Sequence, residues 1–399
     1  QRRTASPGPW PAPRRIFLAI CLLLTIYELL QRASPLRQHV KYFLPWVGMV
    51  LFSALWSPLP STTLTDALIE VVSPLSVGLL AYSLASKSNA QNYFLWPFLL
   101  LVIGSMFSLV GGLNTHLNLL QDAPQFILKS YTGRGVASTI GVFLCLTGIT
   151  LFVMSRGKPL PEKYYLSAIG SCLFSTGIIL GALGHNRMFW LSLLIGLVPW
   201  FLILIRQPVK KQLGLWVGVL ALLAAGIVYS SHFVRTQAES RSVEVVSNIS
   251  TSYTGDARWV IWENWFSIIA ERPVLGFGYG TRILPTVGAS RVVTGSPEVD
   301  VVAQHHAHNV LVNVLAQTGF VGLAAFLIML FGIIRLILTP TDRKNKSIHY
   351  WRASALTLLI AGLMKSMTDD FFWGPSGIVM WMLIGIMAGT ATQNKQQDS

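Results

Sequence analysis

Apolar residues in this chain gather into long runs instead of alternating singly with polar ones. Eleven runs read as candidate membrane-spanning helices: 16–30, 42–57, 64–85, 93–112, 135–155, 164–183, 188–205, 212–230, 309–338, 352–368 and 374–391. A span needs about 20 mostly apolar residues, and the first two runs are short by that measure. Most runs carry Gly and β-branched residues without strand alternation, and they exceed the length of a barrel strand, so helices are expected. The predicted fold class is all-α, a polytopic helical membrane protein of about 11 spans.

The polar segments between the runs sort by charge. One set holds Arg32, Arg37 and Lys41; Lys87; Arg156, Lys158 and Lys163; Arg206, Lys210 and Lys211; Arg343, Lys344, Lys346 and Arg352. The alternate short loops hold only Lys129, Arg134 and Arg187. The positive-inside rule puts the first set in the cytoplasm, with the tail bearing Lys395, and leaves the long segment 231–308 outside. Three regions follow: 1–230, an N-terminal transmembrane bundle; 231–308, an outer (periplasmic) loop region with an interfacial helix; and 309–399, C-terminal transmembrane helices. An odd number of spans would strand Arg2, Arg3, Arg14 and Arg15 outside. The sequence starts at Gln1, so an upstream helix, giving 12 spans in the complete protein, is one expectation; the other is that 16–30 does not span.

Composition supports a membrane chain. Apolar residues make up 52% and charged residues only 12%, against about 25% charged in soluble domains; mean hydropathy is +0.55. An ordinary soluble domain and a disordered chain are both excluded. The net charge of +14 suggests a membrane or nucleic-acid partner on its own. Its distribution over the inner loops makes it a topology signal, and no nucleic-acid partner is expected. Cys21, Cys145 and Cys172 all fall in predicted spans and imply no disulfide framework.

The informative charges are those on the outer side. Segment 231–308 holds Arg235, Arg241, Arg258, Arg272, Arg282 and Arg291 but no Lys, and the planar guanidinium fork suits phosphate oxygens. Residues 257–270 predict a helix, with Asp256 as N-cap and Pro273 as the stop. Trp259, Trp262, Trp265 and Phe266 recur along it at helical spacing. That face reads either as an interfacial belt with Arg258 near phosphates, or as a packing face with a surface arginine. Gly276-Phe-Gly-Tyr279-Gly280 follows and reads as a tight loop or a close approach to a ligand. His305, His306 and His308 then cluster before an apolar helix. Three readings apply: a chelate, a general base, or solvated loop imidazoles. Arg187 and Arg134 stand at outer span edges, against the topology rule. Lys365 has i,i+4 spacing to Asp369, and Asp370 beside it faces an outer cavity in this reading. Few ionisable groups lie at the bilayer midplane, where a proton-coupled transporter would place them, so chemistry at the outer surface is favoured over transport.

His308-Asn309, nine residues, then Gly319-Phe-Val-Gly322 resembles the His-[Asn/Ser/Gln]-x9-Gly-x-x-Gly signature of bacterial O-antigen ligases. The upstream Arg258-Trp-x-x-Trp, Pro273 and Gly276–Gly280 also resemble the core of that superfamily, which includes O-antigen polymerases and protein O-oligosaccharyltransferases. The resemblance implies a glycosyltransferase of the GT-C type in the bacterial inner membrane, with its active site facing the periplasm and a role in lipopolysaccharide biosynthesis. It implies a glycan donor on undecaprenyl pyrophosphate and, for the ligase, a sugar hydroxyl of lipid A–core as acceptor. It places the catalytic His at His308 and donor pyrophosphate-binding arginines at Arg258 and Arg187; Arg134 is added from its position. His306, Asn309, Tyr279 and Asp370 are secondary candidates. The expected chemistry is an inverting displacement with His308 as base and arginines offsetting the leaving-group charge. No metal or cofactor is expected, Asp66 and Glu70 being the only early acidic candidates. A polymerase, a protein glycosyltransferase and a lipid-glycan transporter are the alternatives.

Overall fold

The computed structural model describes residues 12–31, 34, 36–87, 134–155, 159–183, 187–204, 218, 221, 223–229, 258–288, 291–292, 303–304, 306–339, 346–368, 372 and 374–393. Regular structure among them is helical throughout. In order come α1 (Ala12–Leu30), α2 (Arg37–Phe52), a 3-10 turn (Ser53–Leu55), α3 (Pro60–Asp66), a π-helical segment (Ala67–Val72) and α4 (Ser73–Lys87). Then follow α5 (Arg134–Ser155), α6 (Leu160–Leu183), α7 (Arg187–Gly196), α8 (Val198–Leu204), α9 (Arg258–Ile269) and α10 (Ile283–Gly288). The last three are α11 (Val310–Ile337), α12 (Lys346–Ser366) and α13 (Gly374–Gln393).

Among the described residues three helices are long and apolar enough to cross a membrane: Pro60–Lys87, Leu160–Ala182 and Val310–Ile337. Shorter apolar helices cover Ala19–Leu30, Ser138–Phe152, Met188–Ile203 and Gly377–Thr392. The expected span 93–112 lies outside the described residues, as does part of 212–230. The run 188–205 divides at Leu197 into α7 and α8, where Pro199 falls in the first turn of the second helix and its missing N–H does no harm. α5 and α6 pack along their length, and Gly148 lets the backbones touch: a Cβ there would sit 2.4 Å from the Gly170 carbonyl oxygen. Small residues at such contacts are how helices associate in lipid, where no hydrophobic drive separates protein from solvent.

Among the described residues two larger apolar cores are distinguishable, beside a small cluster around Cys21 and Val77. The larger joins the membrane helices. The smaller is built from α9, α10 and the first turns of α11, and includes Ile261, Trp265, Ile268, Ile283, Ala307 and Val312.

The two meet at a break in α11. Its 28-residue apolar run reads as one continuous helix, yet Gly319 adopts φ 63°, ψ −166°, a region open essentially to glycine alone. The break frees the carbonyls of Ala316 and Gln317 and the amides of Phe320 and Val321, which would otherwise pair with each other. The loop after Pro273 takes all four. Phe277 and Gly278 donate their N–H groups to Ala316 O (3.0 Å) and Gln317 O (2.8 Å), while Phe320 and Val321 donate to Pro273 O (2.8 Å) and Val274 O (3.2 Å). None of these four groups is orphaned, as burial demands, and the loop 273–278 is spliced into a long apolar helix.

Candidate functional site

The site grows from the N-terminus of α11. Asn309 caps this helix, its Oδ1 accepting from Leu311 N (2.9 Å) and Val312 N (3.3 Å), which satisfies two of the first-turn amides. His308, just before the cap, has φ 51°, the one positive φ outside glycine among the described residues. Such a conformation costs on the order of 1 kcal/mol or more and persists only where the surroundings impose it.

Those surroundings are identifiable. Trp262 Nε1 donates to Ala307 O (2.9 Å) and Trp265 Nε1 to Ala303 O (3.0 Å). Ala307 N donates to Asn313 Oδ1 (2.8 Å). The residue before His308 is therefore clamped from α9 on one side and α11 on the other. The His306 and His308 rings lie 3.8 Å apart between centroids, and His308 N donates to His306 Nδ1 (3.2 Å). Both imidazoles are half-buried.

Arg258 opens α9 and is half-buried. It stands one turn before Trp262, on the same helix face, so the indole that fixes the His308 loop also relates that loop to Arg258. Arg134 and Arg187 open α5 and α7. Each candidate arginine thus occupies the first position of a helix. The helix dipole disfavours a cation there and favours an anion, so an anionic ligand would offset the conflict.

The aromatic face of α9 is divided. Trp265 is wholly buried, Trp262 is half-buried, and Trp259 and Phe266 are exposed; the Trp259 and Trp262 rings meet edge to face at 5.1 Å. Tyr279 is fully buried, with its ring 5.8 Å from that of Trp46 and its N–H donating to Ser53 Oγ (2.9 Å). His305, Asp369 and Asp370 lie outside the described residues.

Residues 172–327 match the sequence model of the O-antigen ligase family. This segment resembles an O-antigen ligase domain. It contains Arg187, Arg258, Tyr279, His308 and the glycines of the α11 break. The chain is also 23% identical over 396 residues to a Rickettsia conorii protein named as a polysaccharide ligase, across 92% of this chain and 90% of that protein. It is 31% identical over 217 residues to the O-antigen ligase of Salmonella typhimurium, across 54% of this chain and 49% of that protein.

The matched segment is anchored to the preceding helices by a polar network that sequence reasoning did not assemble. Asp66, at the end of α3, accepts two bonds from Arg282, Nε (3.0 Å) and Nη2 (2.5 Å) to Oδ1. Glu70, in the π-helical segment, accepts from Thr281 Oγ1 (2.6 Å). Gly280 N donates to Gln317 Oε1 (3.0 Å). Hydrogen bonding to Asp66 pushes the Arg282 guanidinium above its usual value and keeps it charged. The i,i+4 spacing of Asp66 and Glu70 is the signal that marks them, because it aims both carboxylates at one neighbour. Among the described residues no three His, Cys, Asp or Glu gather as metal ligands.

Proposed function

We propose that this chain is an O-antigen ligase of the inner membrane, of GT-C type, with about 11 spans. Its active site faces the periplasm. It transfers a glycan from undecaprenyl pyrophosphate to a sugar hydroxyl of lipid A–core. The reading rests above all on His308, held in a strained backbone conformation by an indole from the helix that Arg258 opens.

In the proposed step the His308 imidazole takes the proton of the acceptor hydroxyl. That oxygen attacks the donor's anomeric carbon from the face opposite the pyrophosphate. The anomeric C–O bond breaks, configuration inverts, and undecaprenyl pyrophosphate leaves with the bonding pair. A positioned base contributes about 10²–10⁴-fold. Arg258 and Arg187, with Arg134 as a third contact, offset the charge growing on the leaving group, as donors fixed in advance do most effectively. With arginines in that role the reaction is expected to proceed without a metal.

The test is purified protein with both lipid-linked substrates. Glycan appearing on lipid A–core supports the ligase. Longer undecaprenyl-linked chains would make it a polymerase, glycan on Ser or Thr of a protein an oligosaccharyltransferase, and movement without bond formation a transporter. Turnover surviving His308→Ala would remove the assignment of the base.

A further inference from the structure

At the end of α9 remote from Arg258 lies an open cavity of about 330 Å³, lined by Trp56, Pro58, Arg272, Phe277, Thr286 and Arg291 among others. This is the lower end of the range for small-ligand sites, roughly 300–1,000 Å³. α9 has 12 residues, so it separates this cavity from Arg258 by about 18 Å at 1.5 Å per residue. A group bound here is not the pyrophosphate that leaves beside His308.

Three features describe the occupant. The first is charge. Arg272 lies over the Phe277 ring at 5.1 Å and Arg291 pairs with Glu271; two guanidinium groups against one carboxylate leave a local excess suited to phosphate. The second is flatness. Phe277 offers a ring to the cavity, as does Trp56, whose indole is fixed by donating Nε1 to Leu275 O (3.1 Å), and aromatic faces take the apolar faces of sugars. The third is what flanks the lining residues along the chain. Phe52 and Leu55, just before Trp56, and Val274 and Leu275, just after Arg272, are 66%, 81%, 59% and 43% exposed. Exposed apolar side chains next to a Trp mark the boundary between acyl chains and headgroups.

We infer that this cavity binds the phosphorylated sugar headgroup of a membrane-anchored glycolipid, the acceptor of the reaction. That choice of glycolipid rests on the ligase reading above. The lipid-proximal sugar phosphate is held by Arg272 and Arg291, and the saccharide runs back along α9 toward Trp262, which clamps Ala307, to present a hydroxyl to His308.

The experiment measures binding without donor, using the full chain in phosphatidylcholine nanodiscs. The probes are bisphosphorylated lipid A, dephosphorylated lipid A, phosphatidylglycerol and inorganic phosphate. Bisphosphorylated lipid A should bind at least about tenfold more tightly than the dephosphorylated form, and Arg272→Gln with Arg291→Gln should erase that difference. Arg272→Lys with Arg291→Lys should retain part of it. The dephosphorylated probe needs no variant, so misfolding cannot mimic the result. Equal binding of both lipid A forms, or equal binding in the Gln variant, overturns the inference. Phosphatidylglycerol binding as tightly with the same arginine dependence overturns the sugar part, and inorganic phosphate doing so overturns the lipid part. Arginine-dependent binding in a protein that forms no glycosidic bond sinks the ligase reading instead.

Discussion

Replacing Gly319 by alanine separates two ways of building the site. In one, the loop 273–278 merely rests on α11; in the other, it is part of that helix's hydrogen-bond ladder. A Cβ at Gly319 would stand 2.3 Å from both C and O of Val274, so backbone must move. Keeping the break costs about 1–3 kcal/mol for a non-glycine residue in this region of φ/ψ, before any overlap is counted. Healing the helix avoids that strain and restores the two internal bonds from Phe320 and Val321, but it releases Phe277 and Gly278. Two bonds at about 1 kcal/mol each put the loss near 2 kcal/mol. Either route predicts destabilisation of about 2–4 kcal/mol and displacement of the loop. Hydrogen exchange distinguishes them amide by amide. In a healed helix Phe320 and Val321 stay protected while Phe277 and Gly278 exchange; in a strained one all four weaken. Ligation should fall at least about tenfold, because tenths of an ångström in site geometry matter to rate. An alanine variant with unchanged stability and unchanged protection at Phe277 and Gly278 would refute the splice.

Other substitutions probe the site directly. His308→Ala should lower ligation by about 10²–10⁴-fold, whereas His308→Gly should be equally inactive yet more stable than His308→Ala by about 1 kcal/mol, since glycine accepts the positive φ; thermal melts of the pair check this. Trp262→Phe keeps most of the packing and removes the bond to Ala307 O, so kcat should drop several-fold with little change in KM, at a stability cost of about 1 kcal/mol. Asp66→Asn should cost about 1–2 kcal/mol, less than a fully buried pair because the Arg282 side chain is 43% exposed and solvent screens it; denaturant unfolding measures it. EDTA should leave turnover unchanged, and loss of activity with rescue by Mg²⁺ or Mn²⁺ would remove the proposed role of the arginines as the sole charge compensation.

Much of the architecture was legible because membrane helices write themselves as apolar runs. The expected span 135–155 corresponds to α5 (Arg134–Ser155) and 309–338 to α11 (Val310–Ile337). Pro273 duly stops the helix that Arg258 opens. The break at Gly319 was hidden because hydropathy does not register backbone dihedrals. The spacing of the Trp residues on α9 suggested one aromatic face, which the structure divides between core and surface. Trp265 serves the small core, Trp262 fixes a loop and Trp259 meets solvent or lipid, and these differences arise from partners distant in sequence. The Asp66–Arg282 pair spans 216 positions, a separation at which one sequence carries no pairing signal.

The nine residues between Asn309 and Gly319 acquire a metric meaning from this geometry. They make two and a half helical turns, about 13.5 Å of rise, with a cap fixing one end and the splice with loop 273–278 fixing the other. The segment therefore sets the distance of His308 from the break at Gly319. It also sets the bearing of that imidazole around the helix axis. One inserted residue would raise the histidine by about 1.5 Å and turn it by about 100°, carrying it away from Arg258 without altering a single side chain. Length within this stretch is accordingly under tighter physical constraint than identity.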